Sequence, residues 1–134
     1  MTTEFLHQFA VRYIAFCNDP DSDAEGLREF YADDVVWQEM PHQFAPAGRI
    51  HDLAGLQAAF AAGQKMMAEQ HYILENVVAG EDAAALQLRW ETTLAQDLGD
   101  LAAGDKLTGN AAIIFRLQDG KIVRQADYLS YDPR

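Results

Sequence analysis
Three acidic side chains stand where acidic side chains are out of place. Glu39 lies in Trp37-Gln38-Glu39-Met40-Pro41, between large apolar residues at the far end of a strand-like run. Glu91 follows Arg89 by two, in a stretch where Leu86, Leu88, Trp90 and Leu94 alternate with polar residues. Asp127 falls in mid-strand, in Ala126-Asp127-Tyr128, although aspartate is a poor strand former. Residues two apart on a strand share a face, so Arg89 and Glu91 point together. A guanidinium can bridge two carboxylates that would otherwise repel, leaving one carboxyl protonated and another ionised. That is the arrangement an acid–base pair needs.

Each residue also has a plainer reading. Arg89 and Glu91 can be a cross-strand ion pair on the outer face of a sheet, because Leu86, Leu88 and Trp90 make the other face more apolar. Glu39 can be a solvated strand end, and Asp127 an edge or surface residue. His71 reads as a structural histidine. His42 and His51, in the loop after Glu39, lack tight ligand spacing with it, so no metal is expected. No glycine-rich phosphate loop or nucleophilic triad is present, and no cofactor is expected.

These residues need elements to hold them. Apolar residues at helical spacing predict a helix over Thr3 to Cys17. Ser22 and Glu25 read as a capping box opening a short helix that buries Leu27, Phe30 and Tyr31. A strand follows from Val35 to Met40, then a loop with Pro41, Pro46 and Gly48. Asp52 can cap a third helix with Leu56, Phe60, Gly63 and Met67 on one face, where Gly63 suggests close packing. The remainder is strand: His71 to Ala79, Ala83 to Ala95, Lys106 to Leu117 and Lys121 to Tyr131, with Asp119-Gly120 as a hairpin turn. The order α-α-β-α-β-β-β-β makes one α+β domain over residues 1–134, its helices gathered on one face of a curved antiparallel sheet.

Composition narrows the partners. A hydrophobic fraction of 49% is ample for one folded core and argues against disorder. The net charge of -11 disfavours nucleic acid and anionic membrane, which would repel it. With the single cysteine Cys17, no internal disulfide can form. Glu4, with no basic segment before the first apolar residues, is unlike a signal peptide, and no apolar run reaches membrane-spanning length. A soluble cytoplasmic protein is the expectation.

The phrases Phe30-Tyr31-Ala32-Asp33-Asp34-Val35-Val36-Trp37 and Asp119-Gly120-Lys121-Ile122-Val123, in this element order, resemble the nuclear transport factor 2-like superfamily. The nearest branch is the SnoaL-like one, with polyketide cyclases, ketosteroid isomerases and limonene-epoxide hydrolases. The resemblance spans nearly the whole chain and implies a cone, its sheet wrapped around a pocket that helices close. In the isomerases the general-base aspartate lies five residues past the second Asp of the Asp-Asp phrase, which here is Glu39. In the epoxide hydrolases the same strand ends Tyr-Gln-Asn-Met-Pro. Gln38, Met40 and Pro41 agree, while Trp37 and Glu39 replace the Tyr and Asn that hold water. Their Arg-x-Asp and Arg-Asp-Tyr phrases match Arg89-Trp90-Glu91 and Ala126-Asp127-Tyr128.

The resemblance implies cofactor-free isomerisation, cyclisation or epoxide hydration of a small lipophilic molecule. Asp127 or Glu39 would be the base, Glu91 the acid and Arg89 the orienting residue. Tyr13 and Asn110 are the only candidates for an isomerase-like oxyanion hole. Tyr13, Phe16, Tyr31, Trp37, Phe60, Met66 and Met67 would line a mostly apolar pocket, with Asn110 a polar contact. The rival is a non-catalytic ligand-binding or dimerisation domain of the same fold. A homodimer is expected, since the second sheet face still carries Ile114 and Tyr128.

Overall fold
The computed structural model describes residues 2–134. Helix α1, Thr3–Asn18, buries Leu6, Phe9, Ala10, Tyr13 and Ile14 along one stripe. Thr2 caps it, its hydroxyl accepting the Phe5 amide at 3.0 Å. The expected second helix is only a 3-10 turn over Glu25–Glu29, and the capping box does not form. Ser22 Oγ donates instead to the Phe16 carbonyl at 2.7 Å, and Asp23 accepts the Gly26 amide at 2.9 Å. Helix α2, Leu53–Met66, is capped by Asp52 as expected, at 2.8 Å from the Gly55 amide. Met67 ends that helix and starts the next strand instead of extending the helical face.

The strands are β1 (Tyr31–Glu39), β2 (Arg49–His51), β3 (Met67–Ala79), β4 (Ala83–Leu94), β5 (Lys106–Gln118) and β6 (Lys121–Tyr131). Strand β2 sits inside what reads as loop. Between β5 and β6, Asp119 and Gly120 both take positive φ, 53° and 78°, as a tight hairpin requires. One sheet results, ordered β2-β1-β6-β5-β4-β3. Every neighbouring pair is antiparallel except β1 and β6, which run parallel. The sheet is therefore mixed, correcting the all-antiparallel expectation. Helix α2 and the β3–β5 meander carry the chain away from β1, and β6 returns beside it in the same direction.

Register fixes what meets on the inner face. One row across the strands is Arg49, Glu39, Asp127 and Ile113. The row beside it is His51, Trp37, Gln125 and Phe115. Toward the other end, Tyr131, Gly109, Trp90 and Tyr72 align. Helix α1 lies over this face, Phe9 meeting Phe115 at 5.5 Å and Phe30 at 5.6 Å. Its end is tied to β3 by Asn18, whose amide donates to the Tyr72 carbonyl at 2.8 Å and accepts the Tyr72 amide at 2.7 Å. On the outer face Ile73, Val78, Ile114 and Tyr128 stay 45–62% exposed. Among the described residues no helix is long and apolar enough to cross a membrane.

Candidate active site
A cavity of about 520 Å³ opens between α2 and the inner face, within the range of small-molecule sites. It exists because small residues face each other there: Ala59, Ala62 and Gly63 on α2, Ala111 on β5. A side chain at Gly63 would meet nothing within 4 Å, so this glycine leaves space and does not serve close packing. Trp37, Met66, Met67, Tyr72, Trp90 and Tyr131 supply apolar walls. Gly109 lets two of them meet. It pairs with Trp90 and Tyr131, whose rings stand edge to face at 5.8 Å.

The polar end of the cavity is the row Arg49–Glu39–Asp127. Glu39 is only 8% exposed, and it is held. Arg49 Nη1 donates to its Oε1 at 3.2 Å, and His42 Nε2 makes a short contact with the same oxygen. His42 Nδ1 accepts the Phe44 amide at 3.1 Å, so the ring's proton sits on Nε2 and points at Glu39. Both bonds end on the same oxygen of Glu39. Glu39 is thus a buried side chain anchored by Arg49 and His42, and not a solvated strand end.

Asp127 is different. Gln125 Nε2 donates to its Oδ1 at 2.8 Å, and among the described residues no cation bonds it directly. Burial pushes this carboxyl up to about 7; the Gln125 bond opposes that, the Glu39 charge adds to it, and Trp37 opposes it in turn. Asp127 is half-buried and lines the cavity. A carboxyl near 7 can both take and give a proton at neutral pH.

Other expected residues lie elsewhere. Arg89 and Glu91 do share a face, but it is the outer one, since Leu88 and Trp90 take the inner positions. Arg89 there clamps Asp132 with both guanidinium nitrogens, Nη1 at 2.9 Å, and Thr108 donates to Asp132 at 2.6 Å. These bonds, the arginine's first, hold Asp132 down to about 2. Arg89 therefore does not bridge Glu39 and Asp127, and Glu91 does not join them. Asn110 is exposed on the same outer face. Tyr13, Trp37, Met66 and Met67 line the cavity; Phe16, Tyr31 and Phe60 do not. Phe16 and Phe60 stack on each other at 5.6 Å in the adjoining core. Cys17 borders the cavity as a thiol that burial pushes up to about 12.

Sequence reading missed Arg49, His42 as a partner of Glu39, and Gln125. The spacing of His42, three residues past Glu39 across Pro41, was the one available signal. Among the described residues no three His, Cys, Asp or Glu side chains gather in a set that could hold a metal ion.

A family model described as a SnoaL-like domain matches residues 10–125. Among solved structures the chain is similar to AclR, a candidate hydroxylase from Streptomyces galilaeus, at 18% identity. That match covers 96% of this chain and 91% of the other, with a TM-score of 0.79. It is also similar to IdmH, a candidate polyketide cyclase from Streptomyces antibioticus, at 20% identity, 92% and 91% coverage and a TM-score of 0.76. A phenazine biosynthesis-related protein from Pseudomonas aeruginosa matches at 12% identity, 96% and 80% coverage and a TM-score of 0.75. No curated protein matches the sequence. At these identities the structural likeness is one of fold alone.

Proposed function
The chain belongs to the SnoaL-like domain family, and from that footing we propose that it catalyses cofactor-free ring closure of a small, largely apolar molecule bearing carbonyl groups. The observation that carries this reading is Asp127: a carboxyl raised to about 7, at the polar end of an otherwise apolar cavity. As a carboxylate it takes a proton from a carbon beside a carbonyl. The C–H bond breaks, an O–H bond forms on Asp127, and the electron pair moves into an enolate. The enolate carbon attacks a second carbonyl of the same molecule, and the alkoxide takes the proton back. Nothing is oxidised or reduced. Arg49 is the cation of this row, and the N–H groups it does not spend on Glu39 and the Phe44 carbonyl are the donors for the developing oxyanion.

Ring closure ranks first among the family's chemistries because the other two lack parts. With Glu91 and Arg89 on the outer face, the acid and the orienting arginine expected for epoxide hydration are outside the cavity, and Arg49 is bonded to Glu39 instead. With Asn110 also outside, an isomerase-like oxyanion hole has lost one of its two donors. The similarity to IdmH supports trying cyclisation substrates first.

Deuterium exchange tests the reading without knowledge of the natural substrate. In D2O the protein should speed exchange of the α-hydrogens of 1-tetralone or a 1-aryl-1,3-diketone, followed by proton NMR. Asp127→Asn should remove that acceleration. Thermal stabilisation by these ketones with no exchange above buffer would sink catalysis and leave a ligand-binding domain.

A further inference from the structure
Gln125 is 3% exposed in the middle of β6, a costly place for an amide unless every polar atom is used. Its oxygen lies 2.8 Å from the Tyr31 hydroxyl. Its nitrogen lies 2.8 Å from Asp127 Oδ1 and 3.4 Å from the Tyr13 hydroxyl. The two hydroxyls are 2.7 Å apart. An amide oxygen only accepts, so Tyr31 donates to it. Tyr31 has one proton and has then used it, so Tyr13 is the donor to Tyr31. The two amide hydrogens go to Asp127 and, more weakly, to Tyr13. Every link now runs one way. Reversing the amide would set its oxygen against a carboxylate.

We propose that Gln125 is a positioning residue which holds Asp127 Oδ1 as a permanent acceptor, confines proton transfer to Oδ2, and is itself oriented by Tyr31. The inference rests on the reading of Asp127 as the proton-transfer group. It also removes Tyr13 as a donor to the ligand. Tyr13 borders the cavity, yet its proton is turned inward to Tyr31. Proton transfer by Asp127 then uses the oxygen that Gln125 leaves free.

The groups around Asp127 are Trp37, whose N–H is a second donor to this carboxyl, with Glu39 and Tyr31 on β1, Arg49 and His51 on β2, and His42 beyond β1. Tyr13 and Cys17 on α1, Tyr72 on β3 and Tyr131 on β6 complete the set. Burial keeps all four tyrosines above their ordinary values, and Cys17 at about 12, so none of them charges as Asp127 titrates. Substitution of Gln125 or Tyr31 leaves the bonds of Glu39, Arg49 and His42 in place. A moved midpoint therefore reads the amide.

The test is carbon-13 NMR titration of the Asp127 carboxyl. Gln125→Met keeps the length and loses the donor, and the midpoint should rise by about one pH unit. Tyr31→Phe frees the amide to turn and should raise it by less. Tyr72→Phe, a cavity residue outside the ring of bonds, should leave it alone. An unchanged or lowered midpoint in Tyr31→Phe overturns the proposal even if Gln125→Met does not fold. Because the titration needs no turnover, shifted midpoints in a protein without activity would refute the ring-closure reading while still showing that Gln125, oriented by Tyr31, holds Asp127 Oδ1.

Discussion
At Asp127 burial and the neighbouring Glu39 charge favour the neutral carboxyl, while Gln125 and Trp37 favour the charged one. The balance sets a pH dependence whose sign follows directly. An ordinary carboxyl ionises near 4 in the unfolded chain, whereas this one holds its proton to about 7 in the fold. Below pH 4 both states are neutral and nothing is lost. Between about 4 and 7 stability declines, and above 7 the full penalty stands, on the order of 2–4 kcal/mol with cavity water reducing it. Asp127→Asn keeps an acceptor for Gln125 and removes the penalty. It should melt several degrees above the wild type at pH 8 and level with it at pH 4, by calorimetry. An equal offset at both values would show an unburdened carboxylate. Glu39→Gln acts the other way from Gln125→Met: it removes the anion that raises Asp127 and releases Arg49. The Asp127 midpoint should fall by about one pH unit, and the pH optimum of any exchange activity should follow it down.

At the scale of elements, the glycines of α2 and β5 have opposite assignments. Gly63 faces open space, so Gly63→Ala should raise stability by up to about 1 kcal/mol through helix propensity alone. Gly63→Phe should fill the cavity and abolish ketone binding without unfolding the chain. Gly109→Ala would put its Cβ 2.7 Å from the Ser130 carbonyl oxygen, on backbone that cannot yield cheaply. It should cost about 1–3 kcal/mol in urea unfolding. A neutral Gly109→Ala would mean that the strands do not approach as closely as described. These elements were unequally legible in the sequence. Helix α1, the Asp52 cap and the Asp119-Gly120 turn follow from local chemistry and lie where the residues predict. The shared face of Arg89 and Glu91 followed from strand alternation, but the ion pair did not: Arg89 bonds Asp132 instead. Their face is the outer one because Leu86, Leu88, Trp90 and Leu94 together take the inner positions. Strand β2 has no periodicity in three residues, so Arg49 could not be placed beside Glu39 before the fold was known. The parallel β1–β6 pair is a fact of long-range topology, and with it went the meeting of Glu39 and Asp127.

For the molecule as a whole, the outer sheet face is the unresolved hydrophobic surface. Ile73, Val78, Ile114 and Tyr128 stay largely exposed there, on strands whose other face is already packed. We expect a homodimer through this face, with Ile114→Lys shifting it to monomer in sedimentation at micromolar concentration while the Asp127 titration stays in place. A wild type that sediments only as monomer removes this expectation. The parallel pairing of β1 with β6 bears also on the order in which the molecule comes into being. Strands β3, β4 and β5 pair with near neighbours in the chain, but β1, beyond its short pairing with β2, waits for the last strand to emerge. A growing or refolding chain therefore secures its meander before Glu39 and Asp127 come together. Amides of β3–β5 should gain protection from hydrogen exchange ahead of those of β1. The charge conflict that tunes the site is the last one the chain meets, after most of the structure that must withstand it already stands.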